Sequence, residues 1–400
     1  MKRTRYAGIL LSLAMLLSMA SGCGGGAGSP SAAPPASAPA EDPAPSTAPP
    51  APAQELVTVR FGLLPYQDWM PWMLADKLGY FAEAGIKLEV TTFTDDVTCA
   101  EALASGDIDV ACGNSGSGPL VLSRFPNLRI ISPTCGFLGY AIMVRPGDVS
   151  ENGGSVKTYA TLYQEELDKG VGEAEASANA VRAACAQLEG KEIVMDRGTG
   201  SNLPLSAALE AAGLSTDEVN FIDISDVEGA LAFWDGTGDF ELGGFPQVTS
   251  LSELGAYKLV SGAQLGGKAV VLSVEMATEA YIQENMDTVL KLRQVWYRVI
   301  DDLYSADESY MEQLAEVTSS YTGTAYTAQD MRRIATEIDP WPTAEEAPGI
   351  FFAADGAWSI AEIYGGSLDY WVNISGQVPE GSVDLDVQIA AAKGIMDQVD

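Results

Sequence analysis

The chain has 400 residues, 22 Lys and Arg against 55 Asp and Glu, no histidine, and a formal charge of −33. This acidic balance excludes charge-driven binding to nucleic acid or to anionic lipid headgroups. The missing histidine excludes Ser-His-Asp and Cys-His catalysis, the H-E-x-x-H zinc motif and His-bound metal.

The N-terminus reads Lys2, Arg3 and Arg5, then an apolar stretch Ile9–Met19, then Ala20-Ser21-Gly22-Cys23. A basic start, a short apolar core and small residues before a cut site make an export signal. The apolar run is too short to span a bilayer by itself. The cysteine directly after the small residues makes the segment resemble a bacterial lipoprotein signal, although Ala20 stands where leucine is commoner. The resemblance implies cleavage after residue 22, lipidation of Cys23 and a protein anchored on the outer face of the cytoplasmic membrane. Residues 23–54 are almost entirely Gly, Ala, Ser and Pro, a spacer with nothing to bury. Without Lys2, Arg3 and Arg5 the mature chain holds 19 basic residues against 55 acidic, a net −36.

Roughly 346 residues follow the linker, which fits two domains. Val57–Leu63 reads as a strand, and Pro71 stands where the helix Met70–Leu78 would start, with Gly79 as its cap. A short turn, YFAEAG, ends at Gly85. Ile86, Leu88 and Val90 alternate as a second strand. Asp95 and Asp96 can cap a helix through Leu103, ended by Gly106, and Ile108, Val110 and Cys112 form a third strand. This βαβαβ order predicts a parallel sheet covered by helices.

The same grammar returns at Ile193–Met195, Leu203–Ala212 with Gly213, Val219–Ile222, Glu228–Trp234 and Asp239–Gly243. AEALASGDIDVACGN in the first half echoes EGALAFWDGTGDFELGGF in the second. Two like lobes follow, each with ligand-binding potential at its C-terminal strand edge. Ala141–Val144 would leave the first lobe and Ala269–Val274 return to it. The expected boundaries are 55–142 for the first part of lobe 1, 143–267 for lobe 2, and 268–400 for the return and the C-terminal helices. Residues 148–186 read as an Ala/Glu-rich helical insertion without an assigned role. Val289, Leu292, Val295, Trp296, Val299 and Leu303 give a helical stripe for core packing. Cys99, Cys112, Cys135 and Cys185 show no C-x-x-C spacing. They read as buried thiols, with disulfides left open by export.

DKLGYFAEAGIKLEV, ALASGDIDVACGN, QLEGKEIVMDRGTGSN, FELGGFP and NMDTVLKLRQVW, in this order between about residues 56 and 305, resemble the solute-binding proteins of ABC importers, in the sulfonate/nitrate/taurine group. The resemblance implies an α/β, two-lobed type II periplasmic-binding-protein fold, each lobe a mostly parallel sheet flanked by helices. It also implies a monomeric, non-catalytic receptor without a cofactor. Such a receptor closes over a small anionic or zwitterionic ligand and delivers it to permease and ATPase subunits. A heteroaromatic ligand such as a pyrimidine or thiamine precursor is the alternative. An enzyme making a pyrimidine precursor on the same fold, or an extracellular sensor or adhesion protein, ranks behind both.

Four loops follow strands and should face the interlobe cleft. In Leu64–Trp72, Tyr66 and Trp69 supply flat area with polar edges, beside Gln67 and Asp68, while Trp72 packs under the helix. Asp68 suits a cationic nitrogen, or caps the following helix. In Gly113–Pro119, the residues Asn114, Ser115, Gly116 and Ser117 precede a helix and predict free N–H groups for an anion. Arg197–Asn202, with Thr199, Gly200, Ser201 and Asn202, repeats this from the other lobe. Phe245 and Gln247 follow the last strand and close one wall.

Overall fold

The computed structural model describes residues 56–197 and 200–399. The signal, Cys23, the linker and Thr199 lie outside the described residues.

The first lobe starts with β1 (Val57–Leu63), which places Val59, Phe61 and Leu63 inside. β2 (Ile86–Thr92) runs parallel to it in the register Val57 to Ile86, and β3 (Val110–Asn114) pairs on its other side at Phe61 and Val110. The connecting helices Met70–Lys77 and Asp96–Ser105 begin and end where the sequence marks them. Pro71 lies in the first turn of one, and Asp95 caps the other by accepting from the Thr98 N–H at 2.9 Å. Gly106, at φ 82°, takes the left-handed turn that frees the chain for β3.

β4 (Leu128–Phe137) completes the first sheet through β10 (Val271–Thr278), and β5 (Ala141–Val144) enters the second. The first sheet has the order β2-β1-β3-β10-β4. The second contains β6 (Glu192–Met195), β7 (Asn220–Asp223), β8 (Phe240–Gly243) and β9 (Tyr257–Ser261), in the order β7-β6-β8-β5-β9. In each sheet one strand opposes the rest: β10 is antiparallel to β3 and β4, and β5 is antiparallel to β8 and β9. Those two are the strands that the chain inserts on crossing between lobes. The crossing falls between Phe137 and Ala141. β5 therefore lies wholly in the second sheet, and a boundary at 142 would cut it.

Trp72 anchors the first core, stacked on Phe81 at 5.5 Å and tilted against Trp296 at 5.2 Å. Trp296 comes from the helix Met286–Leu303, whose whole predicted stripe is buried. Ile193, Met195, Leu205, Leu209, Leu242 and Leu259 build the second core. The 148–186 segment forms two helices, Tyr159–Asp168 and Glu173–Cys185. Only the latter is deeply buried, through Ala176, Ala180 and Ala184. Its cysteine and the other three described cysteines are buried free thiols. Among the described residues no helix is long and apolar enough to cross a membrane.

Candidate functional site

The predicted loops all leave C-terminal strand ends, and two of them meet across the lobes. A Cβ added to Gly116, after β3, would fall 2.4 Å from the Gly200 Cα, after β6. The absence of side chains on both residues lets the backbones touch. Tyr370 ties the same junction by donating its hydroxyl to Asn202 Oδ1 at 2.8 Å. Trp371 Nε1 donates to the Gly116 carbonyl at 2.6 Å. Phe245 packs toward Tyr326 at 6.2 Å, and Gln247, half-buried, opens the helix Gln247–Glu253.

The loop after β1 divides its side chains differently from the expectation. Tyr66 is 53% exposed, whereas Trp69 is 2% exposed and sits in the first core with Trp72. The short helical turn Gln67–Trp69 turns the Trp69 ring inward, so it is not an open cleft wall. Gln67 and Asp68 are buried as well. Gln67 Nε2 donates to Asp339 Oδ2 at 2.9 Å, and Ser273 Oγ donates to Asp68 Oδ2 at 2.5 Å.

The anion cradle expected at Gly113–Pro119 is filled by the chain itself. Asn114 Oδ1 accepts from the N–H of Gly116 at 2.8 Å and of Ser117 at 3.1 Å, an Asx-type turn. The Ser115 N–H donates to the Leu272 carbonyl at 2.8 Å, and Ser115 Oγ accepts from the Leu272 N–H at 2.9 Å. Behind the turn stands a carboxylate, since Asn114 Nδ2 donates to Asp96 Oδ2 at 2.8 Å. In the opposite loop, Ser201 Oγ donates to the Asp196 carbonyl at 2.5 Å and Asn202 Nδ2 to the Arg197 carbonyl at 2.8 Å. The Arg197 guanidinium lies 4.8 Å over the Phe221 ring.

Sequence reasoning missed the carboxylates that surround these loops. Asp96 and Asp226 are half-buried as residues, yet each has a sealed Oδ1 with no hydrogen-bond partner. Burial pushes both carboxyls up to about 6. Glu241 on β8 is 1% exposed, and its Oε2 has no partner. Burial, and then the charge of Asp226, push it to about 8. Its Oε1 leans along the strand to where a Cβ on Gly243 would be, 2.1 Å away, at the C-terminal end. Asp68 and Asp339 are both raised by burial, and Asp68 Oδ1 is also without a partner.

Four of the aspartates act on Tyr66. Its hydroxyl is pushed up to about 12, first by desolvation and then by Asp96, Asp68, Asp226 and Asp196. The acidic groups that raise it come from both lobes. Among the described residues, no set of three or more Cys, Asp or Glu is disposed to hold a metal ion.

The sequence profile described as NMT1/THI5 like matches residues 67–124 and 149–308, more than half of the chain. The chain belongs to the NMT1/THI5-like family. Its fold is that of periplasmic binding proteins. The aliphatic sulphonate binding protein SsuA of Escherichia coli superposes with a TM-score of 0.61 at 16% identity, covering 86% of this chain and 99% of that one. The alkanesulfonate-binding SsuA of Xanthomonas axonopodis pv. citri, bound to MOPS, gives 0.56 at 16% identity over 84% and 98%. The nitrate-binding NrtA of Synechocystis PCC 6803 gives 0.51 at 14% identity over 87% and 100%. No curated protein matches the sequence.

Proposed function

We propose that this family member is the extracytoplasmic solute-binding component of an ABC importer. It takes a small molecule between its lobes and delivers it, unchanged, to permease and ATPase subunits. The observation that carries this reading is the contact of strand-end loops from opposite lobes at Gly116 and Gly200, tied by Tyr370 and Trp371. Strand-end crevices of α/β sheets are where such folds hold ligands. Chemistry on the solute has little support. The chain has no histidine, and burial pushes the Cys99 and Cys185 thiols up to about 12 and raises those of Cys112 and Cys135 well above the usual thiol value. A lipid on Cys23 and the 23–54 linker would keep the receptor within reach of its permease.

The solute in this reading is a zwitterion of the taurine type or a heteroaromatic amine of the pyrimidine type. A plain sulfonate or nitrate fits less well, because the N–H groups of Ser115, Gly116 and Ser117 already have acceptors. Thermal-shift titration of the full chain against sulfonates, nitrate, taurine, pyrimidines and small amines tests the proposal. A ligand at one hundred times its dissociation constant stabilises by about 2.7 kcal/mol. A flat melting temperature across the panel sinks it. Fractionation of cells carrying Cys23→Ala tests the anchor, with release from the membrane as the expected result.

A further inference from the structure

We propose that the C-terminal helix carries a latch between the lobes, in which the Tyr370 hydroxyl of the first lobe grips Asn202 of the second and holds the unliganded protein closed. The proposal adds a control over closure to the solute-binding reading above, and its test needs no solute.

The helix Ile360–Asp369 is rooted in the first lobe, with Ile360, Ile363 and Tyr364 buried in that lobe's core. It does not end as a regular helix. Residues Tyr370–Ile374 widen into a π turn, in which the Ser375 N–H donates to the Tyr370 carbonyl at 2.8 Å. Such turns give up the regular helical bond pattern and recur at functional sites. Here the turn sends two adjacent aromatic side chains to different lobes. Trp371 Nε1 donates to the Gly116 carbonyl at 2.6 Å, which also accepts from Ser367 Oγ at 3.2 Å. Both of these bonds stay inside the first lobe and fix the strap to the loop after β3. The Tyr370 hydroxyl crosses instead to the second lobe, where it donates to Asn202 Oδ1 at 2.8 Å. Asn202 opens the helix Asn202–Ala212, whose Leu205, Ala208 and Leu209 lie in the second core.

Tyr370 is 5% exposed and Asn202 2%, so the bond between them is sheltered from water. A buried bond of this kind shifts an equilibrium about threefold to tenfold. The chain crosses between the lobes at two places, between Phe137 and Ala141 and between Ser261 and Val271. Gly266, at φ 84°, lies in the second crossing. Two covalent crossings leave the lobes a rotation, and the Tyr370 bond is a further link that opening must break. It favours the closed arrangement before any solute arrives, so less of the solute's binding energy goes into closure.

The test measures the distance between the lobes by pulsed electron spin resonance on the unliganded full chain. Spin labels are placed on Glu101→Cys, in the helix Asp96–Ser105, and on Asp217→Cys, in the turn Thr216–Glu218 before β7, with Cys23→Ala as background. Both positions are exposed, and the other four cysteines are buried. The parent should give one narrow distance. Tyr370→Phe, which removes only the hydroxyl, should add a longer one and raise the ratio of open to closed molecules about threefold to tenfold. Ser367→Ala breaks a buried bond of the same strap within the first lobe and should keep the parent distribution. An unchanged distribution in Tyr370→Phe overturns the latch. So does an equal lengthening in Ser367→Ala, which would make the effect a general loosening of the strap. Either outcome leaves the solute-binding reading standing, and a solute panel that binds nothing leaves the latch standing.

Discussion

Asp96 and Asp226 hold the same place in the two lobes: each is the first residue of the helix that follows an edge strand of its sheet, β2 or β7. Each has one carboxylate oxygen sealed from water without a hydrogen-bond donor. The residue before each, Asp95 or Ser225, stands at the N-cap, so neither aspartate is needed there. Duplication has thus set an unneutralised carboxylate at matching strand edges on both sides of the cleft.

That arrangement reverses the usual pH profile. Asp96 and Asp226 rise from 3.8 to about 6, and Glu241 from 4.5 to about 8. Asp68 and Asp339 rise as well, mainly through burial. A carboxyl with a raised folded pKa binds its proton more tightly in the folded state. Stability therefore falls as pH climbs from about 4 through about 8. The lowered carboxyls, such as Asp95, act only below that window and are largely exposed. The melting temperature of the unliganded protein should be several degrees lower at pH 8 than at pH 5.5. A flat or rising curve across that interval would show these groups to be solvated or paired.

Trp69 and Tyr66 separate folding from binding. Trp69→Ala empties a core position and should cost about 3–5 kcal/mol in chemical denaturation. Tyr66→Ala removes a ring that is 53% exposed and should leave the denaturation midpoint nearly unchanged. It should weaken solute binding several-fold. Comparable stability losses in the two variants would show Tyr66 to be structural.

A buried ion pair gives a third test. Arg293 Nη1 donates to both oxygens of Glu275 at 2.9 Å, and each residue is 1% exposed. The guanidinium also lies 4.9 Å from the Tyr297 ring centre, with Nε and Nη2 lacking acceptors. Glu275→Gln strands a buried cation and should destabilise by about 3–5 kcal/mol. Arg293→Met combined with Glu275→Leu should be neutral or stabilising by about 1–4 kcal/mol. Urea titration of the single and double variants decides, and a double variant as weak as the single one would mean the pair is a net stabiliser.

The duplicated strand–helix order was legible because parallel strands are short apolar runs and their helices carry unambiguous punctuation: Pro71, Asp95, Gly106 and Gly213. The place of β5 was not, since nothing in four apolar residues tells which sheet receives them. The loops were found, but not how their donors are used. Asn114 could be read as a turn residue; only the fold shows its Oδ1 covering two N–H groups. Asp96 reads as one of two helix caps, and geometry alone shows that Asp95 serves as the cap. Glu241 carried the clearest missed signal, an acid inside the apolar strand FELGG.

Gly116 supplies the last test. Its added Cβ would lie 2.4 Å from the Gly200 Cα and 3.0 Å from Asn114 Oδ1. The nearest group is backbone, which cannot rotate away. Gly116→Ala should therefore hold the two loops apart without disturbing either core. Solute affinity should fall at least tenfold, while the melting temperature of the unliganded chain moves little. At Gly200 the nearest atoms to the added one belong to side chains, Val271 at 3.1 Å and the Tyr140 hydroxyl at 3.2 Å, rather than to backbone. Gly200→Ala should accordingly bind better than Gly116→Ala. The dissociation constants of the two variants measure how far binding depends on the loops closing on each other. Wild-type affinity in Gly116→Ala would place the loop contact outside the liganded state.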